Sequence, residues 1–328
     1  MPFTMAQFLE IAGVISWVTA LLALVANLKL MHLASSAPIQ FHQYPTLMIA
    51  NSLNLILFSA IHAIIQPIIS IEKTVVYVFT ASNLTKLPKL GMRLLLGAYG
   101  ATYCSSLLLC GVMFIYRYNT VCRKTTTGTA HFFDSTRKMS IWFIGIIGIG
   151  LYWGGCIFFV ARDTPYVDSI ISSALNDYYG KNISDVTYVA AVYQINNNGT
   201  MSNNTPLIVM GVSFMFIIAA SMLTTIFCVW KIARRSRTAV SPAGIETLQK
   251  QLWEAQMAQA SIPFTLVFIP IITILALPLA NLDGNVAFSV VSILVSIYPV
   301  LDPLALMMFI TVFRQRLLGT KPNYSQTP

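Results

Sequence analysis

Residues Ile11–Leu28 read IAGVISWVTALLALVANL, eighteen positions without an ionisable side chain, bracketed by Glu10 and Lys29. A helix of that length rises about 27 Å, close to the thickness of bilayer hydrocarbon. Six more apolar stretches follow: Pro45–Ile69, Leu94–Tyr116, Ile141–Val160, Leu207–Trp230, Met257–Ala280 and Val286–Phe313. They are continuous runs, not the ten-residue alternations of barrel strands. Lipid offers the backbone no hydrogen-bond partner, so such runs must be helices. The expected fold is an all-α membrane protein, a seven-transmembrane helix bundle forming one domain over residues 1–328. An odd number of spans sends the two ends of the chain to opposite sides.

Composition supports the bilayer as solvent. Apolar residues make up 56% of the 328 and charged residues only 9%, against about 25% charged in a soluble domain; the mean hydropathy is +0.71. The net charge of +9 invites a nucleic-acid reading, but no nucleic-acid motif accompanies it. With the N-terminus outside, 14 of the 20 lysines and arginines fall on the cytosolic side, as cytoplasmic loops favour. Glu72, Asp163, Asp168, Asp177, Asp185 and Asp283 all fall outside. The expected topology is therefore N-terminus outside, C-terminus cytosolic. Four glycosylation triplets, beginning at Asn83, Asn182, Asn198 and Asn203, lie on that same outer face. Glu10 before the first span and Lys29 after it, with no basic residue in the first ten, argue against a cleaved leader. The five cysteines sit in or beside spans and read as packing residues, with Cys122 at the inner rim where palmitoylation is the alternative.

Between the spans, residues 161–206 form a long outer loop rich in Asn, Asp, Ser and Tyr, expected to be a partly ordered lid. The first outer loop holds Val75–Phe79, which reads either as an extension of the second helix or as a strand. Residues 231–256 form a cytosolic loop and an inner extension of the sixth helix: Ser241-Pro242 is a helix start, and Glu246, Lys250 and Glu254 recur at helical spacing. Such a protruding helix suits a cytosolic partner, and equally an ordinary solvated helix. Residues 314–328 are a short cytosolic tail.

Asp302 is the one carboxylate deep in an apolar stretch, where a charge is costly and marks a functional candidate. Counted from Phe313 it lies about 16 Å inward, and Asn54, counted from Pro45, about 14 Å. Asn54 is thus the first expected partner, with Asn51 and Asn27 as alternatives. The acid is either a switch or a neutral glue between helices. Pro299 and Pro303 flank it, and Pro263, Pro270 and Pro278 interrupt the sixth span; each removes a backbone hydrogen bond and is a candidate bend. Arg117, in Ile115-Tyr116-Arg117-Tyr118, reads as a topology anchor or as a latch facing a cytosolic cavity.

Tyr116-Arg117-Tyr118 with Val121-Cys122-Arg123, Gln256 to Pro263, and Tyr298-Pro299-Val300-Leu301-Asp302-Pro303-Leu304 with Phe313-Arg314 behind it resemble the Str superfamily of nematode chemoreceptors. That group includes the diacetyl-receptor-like proteins and the related Srd and Srj branches; the stretch from Ser241-Pro242 to Pro263 is similar to Srd or Str proper. The resemblance covers all seven spans and is strongest from Ser241 to Arg316. It implies a G-protein-coupled receptor in the plasma membrane of sensory neurons, in the sensory cilium for instance. A heterotrimeric G protein and a small odorant-like molecule would be its partners. By the same resemblance Arg117 matches the arginine that ends the third helix of such receptors, and Asp302-Pro303 matches their Asn/Asp-Pro element. Two features depart from the rhodopsin-like pattern: Leu304-Ala305-Leu306 follows Pro303 where a tyrosine is usual nearby, and the long outer loop has no cysteine.

The mechanism expected is a population shift, in which a ligand favours one packing of the helices. The fifth and sixth spans then move and expose a cavity near Arg117 and Tyr118. Depth in the outer half selects Tyr99, Tyr103, Phe214, Phe288 and Ser292 as pocket-lining candidates. No acid lies in those outer halves, which favours an uncharged or weakly anionic ligand over an amine. A small-solute transporter or ligand-gated channel is the alternative, weakened by the absence of internal repeats or a filter sequence. An intramembrane enzyme lacks its motif: there is no His-Glu-x-x-His stretch, and His62 is the single histidine well inside a span. A structural scaffold would carry no recognisable interaction module. No cofactor and no metal site is expected.

Overall fold

The computed structural model describes residues 5–37, 43–72, 75–82, 87–122, 133, 135–197, 200–236, 243–276 and 289–319. Seven helical segments among them are long and apolar enough to cross a membrane. They are α1 (Met5–Ser35), α2 (Tyr44–Ile65), α3 (Lys89–Cys122), α4 (Thr136–Phe159), α6 (Thr205–Ser236), the sixth span and α9 (Ser289–Phe309). The sixth span is itself composite: α7 (Ala243–Pro263), a π-helical turn (Phe264–Phe268) and α8 (Ile269–Ala276). The expected helix start at Ser241-Pro242 lies outside the described residues. Central α3 packs against α2, α4 and α6, and α1 closes against α2 and α9. Rows of exposed apolar residues, among them Leu21, Ile144, Leu151 and Phe216, cover the outer faces of α1, α4 and α6, as lipid contact requires.

Helix α2 stops at Ile65, four residues before the apolar stretch ends. The cause is Pro67, which disfavours right-handed helical backbone in the residue before it. Gln66 instead adopts the left-handed region, φ 45° and ψ 65°. The chain leaves as strand β1 (Pro67–Glu72), pairs antiparallel with β2 (Val75–Thr80), and β2 pairs antiparallel with β3 (Tyr188–Val192). Val75–Phe79 is therefore a strand, and a three-stranded sheet caps one end of a bundle that is otherwise helical. The 161–206 segment is largely ordered, with α5 (Pro165–Tyr179), β3 and the hairpin β4 (Gln194–Asn197) and β5 (Thr200–Asn203). Thr164 caps α5, its hydroxyl accepting from Val167 N, with Pro165 in the first turn.

The α3–α4 contact rests on small residues. A Cβ on Gly154 would sit 2.5 Å from the Gly97 carbonyl oxygen, and one on Gly150 would sit 2.6 Å from Ser105 Oγ. Without a hydrophobic drive between helices in lipid, such close backbone approach is what holds a pair together.

The last span ends early. Ile310 is extended, φ −83° and ψ 107°, and separates α9 from the short α10 (Thr311–Leu317). That short helix is tied back at both ends: Thr311 N donates to Gln251 Oε1 at 3.1 Å, and Arg316 Nη1 reaches Ser36 O and Oγ at 2.7 Å.

Candidate functional site

The candidate residues fall into three tiers along the bundle. Beneath the sheet, aromatic side chains from four helices form a chain. Tyr99 stacks on Phe58 at 4.9 Å between centroids, Phe58 meets Tyr103 at 6.3 Å, Tyr103 meets Trp153 at 6.4 Å, and Trp153 stacks on Phe214 at 3.7 Å. His62 Nδ1 lies 3.2 Å from the Tyr99 hydroxyl. The buried Tyr103 hydroxyl meets no hydrogen-bond partner among the described residues. Of the five sequence candidates, Tyr99, Tyr103 and Phe214 thus come together. Ser292 is engaged elsewhere, accepting from Ile69 N at 3.4 Å and so pinning β1 to α9. Phe288 lies outside the described residues.

The cap is joined to this tier by polar contacts. The Tyr179 hydroxyl lies 3.2 Å from Ser70 Oγ and 2.9 Å from Ser289 Oγ, linking α5, β1 and α9. At the rim, a cavity of about 160 Å³ is bordered by Lys89, Arg93, Asp163, Asp168 and Tyr188. Arg93 pairs with Asp163, and Tyr188 donates to Asp168 at 2.6 Å. Burial, reinforced by that carboxylate, holds the Tyr188 phenol above its ordinary value, so it stays a donor well into alkaline solution.

The middle tier is polar. Asp302 is buried, 2% exposed. It accepts from Asn51 Nδ2 at 2.9 Å and from Gln259 Nε2 at 3.2 and 3.3 Å. One turn away, Asn27 Nδ2 donates to the Pro299 carbonyl at 2.9 Å. That carbonyl would normally accept from the backbone N–H four residues on, but residue 303 is proline and has none. Asn27 supplies the missing donor, which lipid could not. The cluster therefore spans α1, α2, α7 and α9.

The expected pairing of Asn54 with Asp302 is corrected here. Asn54 Nδ2 turns to α3, donating to Thr102 O at 3.0 Å and Ser106 Oγ at 2.7 Å. The misreading came from the break at Ile310. Measured to Phe309, where α9 truly ends, Asp302 lies about 10 Å inward, and Asn51 lies about 10 Å from Tyr44. Gln259 stood in the sequence only as part of the Gln256 to Pro263 motif and was not expected beside Asp302, although a polar residue two positions inside the apolar Met257–Ala280 stretch was its signal. Pro263 is buried in α7 and immediately precedes the π-helical turn, so the helix is irregular at the place where a bend was expected.

The third tier lies at the opposite end from the sheet. Arg117 is 3% exposed. That burial sets it inside the bundle, where a rim anchor would reach for headgroups. Around it Tyr44 stacks on Tyr116 at 5.8 Å, Phe133 meets Tyr116 edge-on at 5.3 Å, and Tyr118 meets Phe227 at 5.9 Å. No group of three or more metal-ligating side chains occurs among the described residues.

The serpentine type seven-transmembrane chemoreceptor model Str matches residues 12–318. The chain belongs to the Str family of serpentine chemoreceptors. Among relatives of this Str-family chain, "Serpentine receptor class r-10" of Caenorhabditis briggsae is 26% identical over 296 residues, covering 88% of this chain and 84% of its own. The Caenorhabditis elegans protein of the same name is 24% identical over 326 residues, with 94% of each chain covered. "G-protein coupled receptor str-33" of Caenorhabditis elegans is 23% identical over 303 residues, covering 90% and 86%. Squid rhodopsin superposes with a TM-score of 0.60 at 11% identity, covering 96% of this chain and 85% of its own, a likeness of fold.

Proposed function

We propose that this Str-family receptor binds a small uncharged or weakly anionic molecule in the aromatic tier beneath the sheet and couples to a heterotrimeric G protein at the Arg117 end. The observation that carries the reading is the Asn51–Asp302–Gln259 cluster. It joins the sixth span, next to its π-helical turn, to α2 and α9. Tyr99 and Tyr103 pack on Phe58 of α2, the helix that also carries Asn51, so a ligand that changes packing there acts on one of the helices that hold the cluster. Regripping Asp302 as the sixth span pivots near Pro263 gives the bundle two discrete packings, as a population shift needs. The Tyr103 hydroxyl supports an oxygen-bearing ligand, because a buried hydroxyl without a partner costs about 1–3 kcal/mol that a bound acceptor recovers. The aromatic walls support an otherwise apolar one. The proposed setting is the plasma membrane, with the sheet and cap outside, Asn182 and Asn203 glycosylated together with Asn83 and Asn198, which lie outside the described residues, and the sensory cilium as a natural site.

The test is a screen of volatile and water-soluble cues against cells expressing this chain with a promiscuous G protein. A hit should give a second-messenger response that disappears in Arg117→Ala while surface expression is retained. Normal signalling from a well-expressed Arg117→Ala protein would reject the coupling role. A ligand-evoked current that persists without G proteins would instead favour the channel or transporter reading.

A further inference from the structure

On the lipid side of helix α6 lies a row of open side chains that touches the third tier where Phe227 meets Tyr118. Phe216, Leu223, Phe227, Trp230 and Arg234 recur at steps of seven, four, three and four, so they share one face. That face is open: Phe216 is 72% exposed, Leu223 66%, Phe227 48% and Trp230 45%. Along it the chemistry changes in one direction, from apolar through aromatic to cationic. At the cationic end Arg234 Cζ lies 4.4 Å over the Trp230 ring, and Lys231 Nζ lies 4.9 Å from Trp230 and 5.7 Å from Phe227. The indole is thus flanked by two positive charges.

Among the described residues no ion pair neutralises those two charges. Helix α6 contains no Asp or Glu, and the ion pair found among the described residues, Arg93–Asp163, belongs to the opposite end of the bundle. From Leu223 to Arg234 the helix rises about 16 Å, roughly half the bilayer hydrocarbon and so one leaflet. Tryptophan prefers the headgroup level, and basic side chains next to it attract anionic headgroups.

The geometry points to a binding site for one anionic glycerophospholipid on this stripe. Its acyl chain runs past Phe227 and Leu223, and its headgroup phosphate sits between Lys231 and Arg234 beside Trp230. The occupant needs both a negative headgroup and a tail, because the stripe offers cations and an open apolar row in register. The site lies at the end of α6, the helix expected to move with the sixth span, so a bound lipid would bias that movement.

The test uses the full-length chain purified in detergent, with phosphatidylserine or phosphatidylcholine added back. Native mass spectrometry reads the lipid retained, and thermal unfolding reads its effect. Wild type should retain phosphatidylserine and melt higher in its presence. Lys231→Gln with Arg234→Gln should retain it about 30-fold less, the loss expected from two surface cations, and should retain phosphatidylcholine as wild type does. Exchanging the two cations, Lys231→Arg with Arg234→Lys, should preserve binding and guards against a folding artefact. Equal retention of the two lipids by wild type, or undiminished phosphatidylserine on the double glutamine variant, overturns the site. Stabilisation by the free headgroup glycerophosphoserine equal to that by the intact lipid also overturns it. No agonist or G protein enters this assay, so its failure leaves the receptor reading untouched.

Discussion

At the residue scale, the buried acid and its amide partners set the terms. Asp302 holds two amide donors from two other helices, and no basic residue pairs with it among the described residues. Exchanging acid and amide tests that geometry. Asn51→Asp alone brings two carboxyls face to face, and Asp302→Asn alone leaves two amides. The double variant Asn51→Asp with Asp302→Asn restores one of each. The expected coupling between the two substitutions is about 0.6–1.7 kcal/mol, the range of double-mutant cycles on polar contacts between membrane helices, read as thermal unfolding of detergent-solubilised protein. Strict additivity would remove the pair. Asn54→Ala, by contrast, should add to Asp302→Asn without coupling, since Asn54 bonds Thr102 and Ser106. That Asp302 mattered was legible from one charge in an apolar run. Asn51 was among its candidate partners but ranked behind Asn54, because depth had to be counted from a helix end, and the extended Ile310 that ends α9 sits inside a run of apolar letters with no proline or glycine to mark it.

At the element scale, the sequence shows where helices are but says less about how they meet. Within the described residues each of the seven apolar stretches holds a helix, because lipid leaves the backbone no alternative. The ends went differently. Pro67 turned the last residues of the second stretch into β1, which pairs with the adjacent β2, and the third strand that completes the sheet comes from residues more than a hundred positions further along. Pairing over that separation leaves no local mark beyond β-branched composition. The α3–α4 contact was likewise silent: Gly97 and Gly154 matter because they face one another, Gly100 because it faces Ile157 and Trp153, and Gly150 because it faces Ser105 and Ala101. Gly154→Leu should therefore force the two helices apart, since its Cβ alone would stand 2.5 Å from the Gly97 carbonyl oxygen. Overpacking of this kind costs about 1–3 kcal/mol or more, and the expected result is a sharp fall in surface expression and in melting temperature. Gly148→Leu on the same helix is the control, because a Cβ there meets nothing within 4 Å. Equal damage from both would show that helix propensity, not the α3–α4 approach, is responsible.

At the scale of the whole molecule, the arrangement of tiers gains its meaning from orientation. Family and fold establish a seven-span receptor; which end faces the exterior rests on charge and sequons. The sheet end carries Asn182 and Asn203, both exposed, and the Arg93–Asp163 pair. The opposite end carries the basic turn of α6 and Arg314 and Arg316 of α10. Positive residues are retained on the cytosolic side during insertion, so the sheet end should be translocated. Asn182 then becomes the most direct reporter. It opens the short turn Ile183–Asp185, its side chain accepting from Ser184 N, and its triplet is displayed on the cap surface. Expressed in animal cells, the wild-type chain should carry a glycan that glycosidase removes, and Asn182→Gln should shift the band by one glycan unit. A tag after residue 328 should stay protected from protease on intact cells. An unglycosylated chain whose C-terminal tag is digested from outside would invert the bundle. The aromatic tier would then face the cytoplasm and Arg117 the exterior, where no G protein waits, and the receptor mechanism would fail even with every helix and hydrogen bond in place.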